Sequence, residues 1–396
     1  MSEINLTHSN GNTVKLSTPD SLSGNVNFKL PSDHGTTGAF LHSDGSGSLS
    51  FGQIAPSNRN KLINGSMRIF QRGTSEVRSG GDDGYYNGIA DRWAIRMHSS
   101  VAQTTFSKDT SDNPEGFGSN QKLVRANAGS SNAGKYFVYD TKLEGQDLQD
   151  FAKGTSGAKE FTLSFYVKTG VSGVYTCELR DIDNTRTVVK QYTVSNGNWN
   201  RYTLTFPADT TGTFGNDIGA SLWVRFWLAA GTNFTSGTSQ TTWASSVDAN
   251  ICPGQTAQVG DNVADTWQIT GVQLEVGNTA TSFEHKSHQD EILRCYRYYN
   301  KKNPQYGRIG HMYTNDRIVF TLDLPCEMRS TPTVSNSGGL YFARQNGLAL
   351  GLSGIQSSAY DTTTQRINLT VTSNGSQGNT AFIWSGNTYY ILDAEL

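Results

Sequence analysis

Two hydrophobic periods run along this chain, and one gives way to the other near residue 287. From Lys61 onward, apolar and polar residues alternate with the period of two that marks a strand with one buried face. In "FTLSFYVK" this places Phe161, Leu163, Phe165 and Val167 on one side, and in "RYTLTF" it does the same for Tyr202, Leu204 and Phe206. "VYTCEL" and "TVVKQYTV" read alike, and "KLINGSMRIFQRGTS" predicts a strand with Met67 and Ile69 opposite Arg68 and Phe70. "SLWVRFWLAAG" is apolar on both faces, with Leu222, Val224, Phe226 and Leu228 on one and Trp223, Arg225 and Trp227 on the other. Strands this dense, with turn signals every ~8–12 residues and no βαβ spacing, predict an all-β jelly-roll β-sandwich over residues 59–286. "WQITGVQLEVG" is its closing strand, with Val272 and Leu274 on one face and Glu275 expected as a solvated residue on the other.

Past that strand the period becomes helical. Ile292, Cys295, Tyr296 and Tyr299 follow the i, i+3, i+4, i+7 spacing of one apolar stripe. Ser287 suits the N-cap, and Asp290 and Glu291 stand in the first turn, where the helix dipole favours anions. The spacing predicts a connector helix over 287–303, stopped by Pro304 and Gly307. Residues 304–396 return to short strands and form a smaller C-terminal β domain, with Trp384, Tyr389 and Tyr390 as its aromatic candidates. Residues 1–58 carry only three short apolar pieces, Phe28/Leu30, Phe40/Leu41 and Leu49/Phe51. A lone hairpin of that content is marginal in water, so this extended β segment is expected to be stable against copies of itself, in a homo-oligomer.

Composition supports the all-β reading. Only 35% of the 396 residues are hydrophobic and 17% charged, while aromatics reach 11%. Rings at that level need burial or a binding role. A net charge of −2 argues against nucleic acid as the main partner, since duplex binding takes a concentrated basic face. Cys177, Cys252, Cys295 and Cys326 are far apart, share no CxxC spacing, and read as thiols in cores or half-buried strands. No run approaches ~18–20 apolar residues, so no membrane insertion is expected. "MSEINLTHSN" has no basic-then-apolar leader pattern, which places synthesis in a cytoplasm.

Catalytic constellations are sparse. The seven histidines include no HExxH, and neither a GxSxG elbow nor a P-loop occurs. Asp82/Asp83 and Asp181/Asp183 are paired carboxylates of a kind a glycosidase uses, but adjacent loop aspartates are more often turn formers. His285 and His288 straddle the helix start and read as surface residues. The expectation is a non-enzyme with no cofactor and no metal. A weak calcium candidate is "RDIDNT", where Asp181, Asp183 and Asn184 offer hard oxygen ligands. The glycan-binding candidates are Trp223, Arg225 and Trp227 on one strand face and Tyr85 and Tyr86 in a long Gly/Asp-rich loop. Flat rings stack on sugar faces while Arg bonds the hydroxyls.

Three stretches share a further likeness. "KLINGSMRIFQRGTS" followed by "ADRW", then "ITGVQLEVG", then "EHKSHQDEILRCYRYY" resemble a recurrent set in bacteriophage tail fibres and other virion structural proteins. Lys286 stands where Arg is usual there, and Tyr296 where Gln is usual. "LPSDHGTTGAFLHSDGSGSLSFG" resembles a phage-fibre motif, with His42 in place of Thr and Phe51 in place of Trp. "MRSTPTV" and the terminal "LDAEL" resemble the end of the same proteins. The resemblance implies a virion tail component, made in the host cytoplasm, with a jelly-roll similar to carbohydrate-binding modules. Its implied partners are itself in a homotrimer, other tail or virion proteins, and host surface polysaccharide. Two other readings stay open: an adaptor, nozzle or head-attached fibre binding only virion proteins, and a glycan depolymerase or esterase.

Overall fold

The computed structural model describes residues 3–7, 9, 11–17, 27–32, 39–43, 46–53, 57–78, 84–87, 89–98, 103–129, 132–195, 197–302, 308–337, 342–345, 348–357, 366–373, 376–384 and 389–396. The chain divides into two compact units, Met1–Ser57 and Asn58–Leu396. The first contains two antiparallel hairpins, Glu3–Thr7 with Thr13–Ser17 and Ala39–Ser43 with Leu49–Gln53. Phe28, Leu30, Phe40, Leu41 and Phe51 are all exposed in it, so these five side chains are not spent on a core.

The second unit is built on an antiparallel sandwich. Its strands are β1 (Ser75–Arg78), β2 (Gly84–Asn87), β3 (Ala94–His98), β4 (Thr104–Asp109), β5 (Asn120–Arg125), β6 (Tyr136–Glu144), β7 (Phe161–Thr169), β8 (Gly173–Asp181), β9 (Arg186–Val194), β10 (Asn200–Phe206), β11 (Ala220–Ala230), β12 (Ala244–Ser245) and β13 (Thr266–Val276). Seven form one sheet in the order β12-β9-β8-β11-β6-β3-β2, and six the other, in the order β10-β7-β13-β5-β4-β1. The chain crosses repeatedly between the sheets, as the alternating patterns require. Phe161, Leu163, Phe165 and Val167 meet Leu222, Val224, Phe226 and Leu228 across the interior, all fully buried. Trp93 stacks on Tyr139 at 5.1 Å, and Phe151 on Phe161 at 3.9 Å.

On β13 the inward parity changes from Trp267 and Ile269 to Val272 and Leu274. Gly271 makes this switch with φ 63°, where the register against β7 slips between Ser164 and Tyr166. A Cβ there would come within 2.7 Å of the Phe117 ring and 2.9 Å of Tyr166. Only glycine fits both the backbone and the space.

Three local expectations change. "KLINGSMRIF" is not a strand, although Met67 and Ile69 are buried and Arg68 is exposed. Asn64, at φ 57°, takes over the bonding of this stretch. Its Oδ1 accepts from the Arg68 and Ile69 amides at 2.8 and 2.9 Å, and its Nδ2 donates to the Ile69 and Asp91 carbonyls. Its own amide donates to Glu291, and its carbonyl accepts from Trp93 Nε1 at 3.2 Å. A side chain that satisfies backbone groups this way replaces a ladder. Glu275 is not solvated: the chain folds back over it, and Thr281 donates to it through its amide and hydroxyl at 2.9 and 2.7 Å. The helix spans only His288–Tyr296, capped as expected by Ser287. Residues Tyr299–Lys302 instead pair with Tyr390–Asp393, because that last strand offers them a ladder.

Beyond the helix, six strands (Arg308–Thr314, Arg317–Asp323, Phe342–Gln345, Leu348–Ser357, Arg366–Ser373, Thr380–Trp384) close into a barrel. Met312, Ile318, Phe320 and Leu322 share its core with Tyr390 and Leu392 of a three-stranded sheet. Polar contacts fasten this part to the sandwich. Glu395 pairs with Arg72 and Arg92, whose guanidiniums lie 3.8 and 3.4 Å from the Tyr299 and Tyr298 ring centres. Buried Glu144 takes two bonds from Arg297 at 2.8 Å and a third from the Tyr298 hydroxyl. No helix among the described residues is long and apolar enough to cross a membrane.

Asn64→Ala removes four bonds at once from a buried, left-handed position. The expected loss is roughly 3–5 kcal/mol, since each buried backbone group left unpaired costs about 1–3 kcal/mol. Urea unfolding followed by tryptophan fluorescence reads it, and an effect below about 1 kcal/mol would show that the loop holds itself.

Candidate functional site

The outer face of the seven-stranded sheet divides into a sealed half and an open half. Strand β11 runs down its middle, and pairing with β6 and β8 fixes its neighbours. Trp227 sits between Val138 and Thr176, Arg225 between Asp140 and Glu178, and Trp223 between Lys142 and Arg180. Trp227 is 1% exposed, covered by Ile251 and Cys252 with Tyr136 and Phe234 alongside, and its Nε1 donates to Glu178 at 2.8 Å. It therefore presents no ring to a ligand. Arg225 is buried as well and bonds Glu178 at 2.8 Å. Asp140 and Glu178 have no exposed surface, so they act as counter-ions beneath the face. Burial pushes the Asp140 carboxyl up against the opposing pull of Arg96 and Arg225.

Trp223 occupies the open half and stays half-buried. Four cations surround its ring, at 4.2 Å for Arg96, 5.2 Å for Lys142, 5.4 Å for Arg225 and 5.8 Å for Arg180. Its Nε1 is itself buried and makes no hydrogen bond with any described residue, so only the ring is presented to a ligand. Burial brings the Lys142 ammonium down to about 8, and the nearby Arg96 charge adds to the fall. Asp140 and Glu178 answer Arg96 and Arg225 from beneath, and the Lys142 ammonium donates to the Leu396 carbonyl oxygen at 2.6 Å. An indole flanked by guanidiniums offers flat apolar area and a dense set of donors. That chemistry suits a ring bearing hydroxyls and acidic groups.

Tyr85 and Tyr86 lie not in a loop but on β2 at the edge of the same sheet, because their backbone finds a ladder on β3, with Tyr85 opposite Arg96. Their side chains, like that of Trp384, lie outside the described residues, as do Asp82 and Asp83. Tyr390 is buried in the C-terminal core. Arg96, Lys142 and Arg180 escaped sequence reasoning because only pairing between distant strands gathers them around Trp223.

The calcium candidates are drawn together with a different cation. Asp181 is fully buried beside the Lys153 ammonium, which also meets Asp209 at 3.1 Å and the Thr211 and Gly212 carbonyls at 3.1 and 2.7 Å. Asn184 turns its amide nitrogen, a donor, toward Asp181 at 2.9 Å, and Asp183 accepts the Gly215 amide. Among the described residues no group of three acidic, histidine or cysteine side chains is placed to hold a metal ion. Lys153→Met leaves two buried carboxylates facing each other, an expected loss of about 3–5 kcal/mol. Adding Asp181→Asn should restore part of it. Chemical denaturation of both variants checks this, and equal losses would sink the charge explanation.

No protein-family model and no curated protein matches the chain. Among solved structures it is similar to the enzymatically active domain of bacteriophage CBA120 tailspike protein 4, at 12% identity and a TM-score of 0.28. That alignment covers 57% of this chain but only 22% of the tailspike chain. It is also similar to a family 11 carbohydrate-binding module from Clostridium thermocellum in complex with a mixed-linked tetrasaccharide, at 12% identity and a TM-score of 0.26, over 54% of this chain and 98% of the module. A tandem of two family 22 modules from Paenibacillus barcinonensis aligns over 86% of this chain and 99% of its own, at 10% identity and a TM-score of 0.26. Likeness at this level decides nothing about function.

Proposed function

We propose that this chain is a bacteriophage virion protein, a tail fibre component that recognises bacterial surface glycan by binding rather than catalysis. One observation carries the reading: half-buried Trp223, ringed by Arg96, Lys142, Arg180 and Arg225. The guanidinium and ammonium donors around the indole suit glycans with acidic residues. The carboxylates nearest the platform, Asp140 and Glu178, are sealed and paired, which suits a binding face better than a hydrolytic one. In the first unit, the exposed Phe28, Leu30, Phe40, Leu41 and Phe51 suit self-association, with three chains as the expected number. Weak contacts repeated across copies multiply into firm adsorption.

The test is adsorption inhibition. Purified protein should compete with phage for host cells, and Trp223→Ala should lose at least about tenfold in potency with thermal stability unchanged. Binding should also weaken between pH 7 and 9, as Lys142 gives up its proton near 8 between Arg96, Arg92, Asp140 and Glu395. Competition that survives Trp223→Ala moves recognition elsewhere. No competition at all favours an adaptor that binds only virion proteins, and release of oligosaccharides from host polysaccharide would establish an enzyme.

A further inference from the structure

A cavity of about 380 Å³ opens beside the six-stranded sheet, the one opposite the Trp223 platform. Three segments wall it: the loop around Arg68, the connection from β4 to β5, and the stretch leading into the helix. Its charged and titratable groups are Arg68, Lys108, His285 and Lys286, and no acidic residue lines it. Lys286 is answered by Glu284 at 2.7 Å. The other two strong cations are not. The Lys108 ammonium donates to the Arg68 carbonyl at 3.1 Å and lies 5.1 Å from the Phe70 ring centre, with no carboxylate of the described residues beside it. The Arg68 guanidinium is exposed and makes no hydrogen bond or ion pair with any described residue. Burial, and then the Arg68 charge, lower the Lys108 pKa, which is the mark of two cations held together without an anion between them.

The rest of the wall is shaped for a small ring. Phe117 is braced by Phe283 at 5.1 Å, His285 at 5.2 Å and Tyr166 at 5.4 Å, so its own ring is fixed in place. Ser66 also lines the cavity, its hydroxyl free of hydrogen bonds to the described residues. Gly118 keeps the wall low, since a Cβ there would meet no atom within 4 Å.

We propose that this cavity binds a saccharide through an anionic substituent, a phosphate, sulfate or carboxylate held by Arg68 and Lys108, with the sugar ring against Phe117. The saccharide half rests on the glycan reading of the chain, while the anion half stands without it. The relief of an unpaired cation pair supplies the affinity, and the cavity volume matches the low end of small-ligand sites, about 300–1,000 Å³.

The full-length protein is titrated at low salt with a hexose phosphate, glucuronate, inorganic phosphate and glucose, followed by amide chemical shifts. The hexose phosphate and glucuronate should saturate, inorganic phosphate should bind more weakly, and glucose should not bind. Arg68→Gln and Lys108→Gln should each weaken the hexose phosphate about tenfold, the loss of one charge-assisted contact. Gly118→Leu narrows the cavity with every charge in place and should abolish the shifts of the cavity residues, and its thermal midpoint checks that it folds. Trp223→Ala should leave the shifts of the cavity residues unchanged, which separates this site from the platform. Glucose binding as tightly as the hexose phosphate, or anion binding indifferent to all three cavity variants, would overturn the site. Inorganic phosphate binding as tightly as the hexose phosphate would overturn its saccharide half.

Discussion

One constraint orders much of the second unit: a knot of buried hydrogen bonds centred on the Asn64 side chain. It holds the amides of Arg68 and Ile69 and the carbonyls of Ile69 and Asp91, while its own backbone reaches Glu291 and Trp93. A loop, a turn and a helix are thereby fixed to one another before any apolar packing is counted. The same knot aims the side chains on either side of it. Asp91 is placed to accept from Gln71, and Arg92 to reach Glu395 while lying over Tyr298. The Arg92–Glu395 part of the attachment between the C-terminal part and the sandwich thus adjoins the "LINGSM" turn.

Much of the architecture could be read from alternation alone, because a half-buried strand writes its face into every second residue. Phe161 to Val167 and Leu222 to Leu228 took the sides their spacing assigns. The helix start was legible for the same kind of local reason, with Ser287 bonding the Asp290 amide at 3.1 Å. The end of the helix was not, since the competing partner of Tyr299 is Asp393, almost a hundred residues away. Glu275 misled for a related reason. Its strand position pointed outward, but a later segment covered it.

The binding face shows the same division between local and distant information. Trp223 could be found from sequence, because two tryptophans flanking an arginine at period two on one strand face are conspicuous. Its cations could not, as Arg96, Lys142 and Arg180 come from three other strands and converge only through register. Trp227, two turns of the pleat further along at four residues' distance, carries the same local signature as Trp223 and has the opposite fate. The lid over it comes from Phe234, Ile251 and Cys252, so burial was decided outside the strand.

Lys153 gives the sandwich a property of its own. A site filled by a dissolved ion stabilises a fold only in proportion to that ion's supply, and it empties when the surroundings are dilute. Here the cation among Asp181, Asp209 and two carbonyls is covalently part of the chain. Its local concentration is set by the backbone and does not change with the medium. Chelators, soft water and ion-poor growth conditions leave that corner of the molecule as it was when it folded.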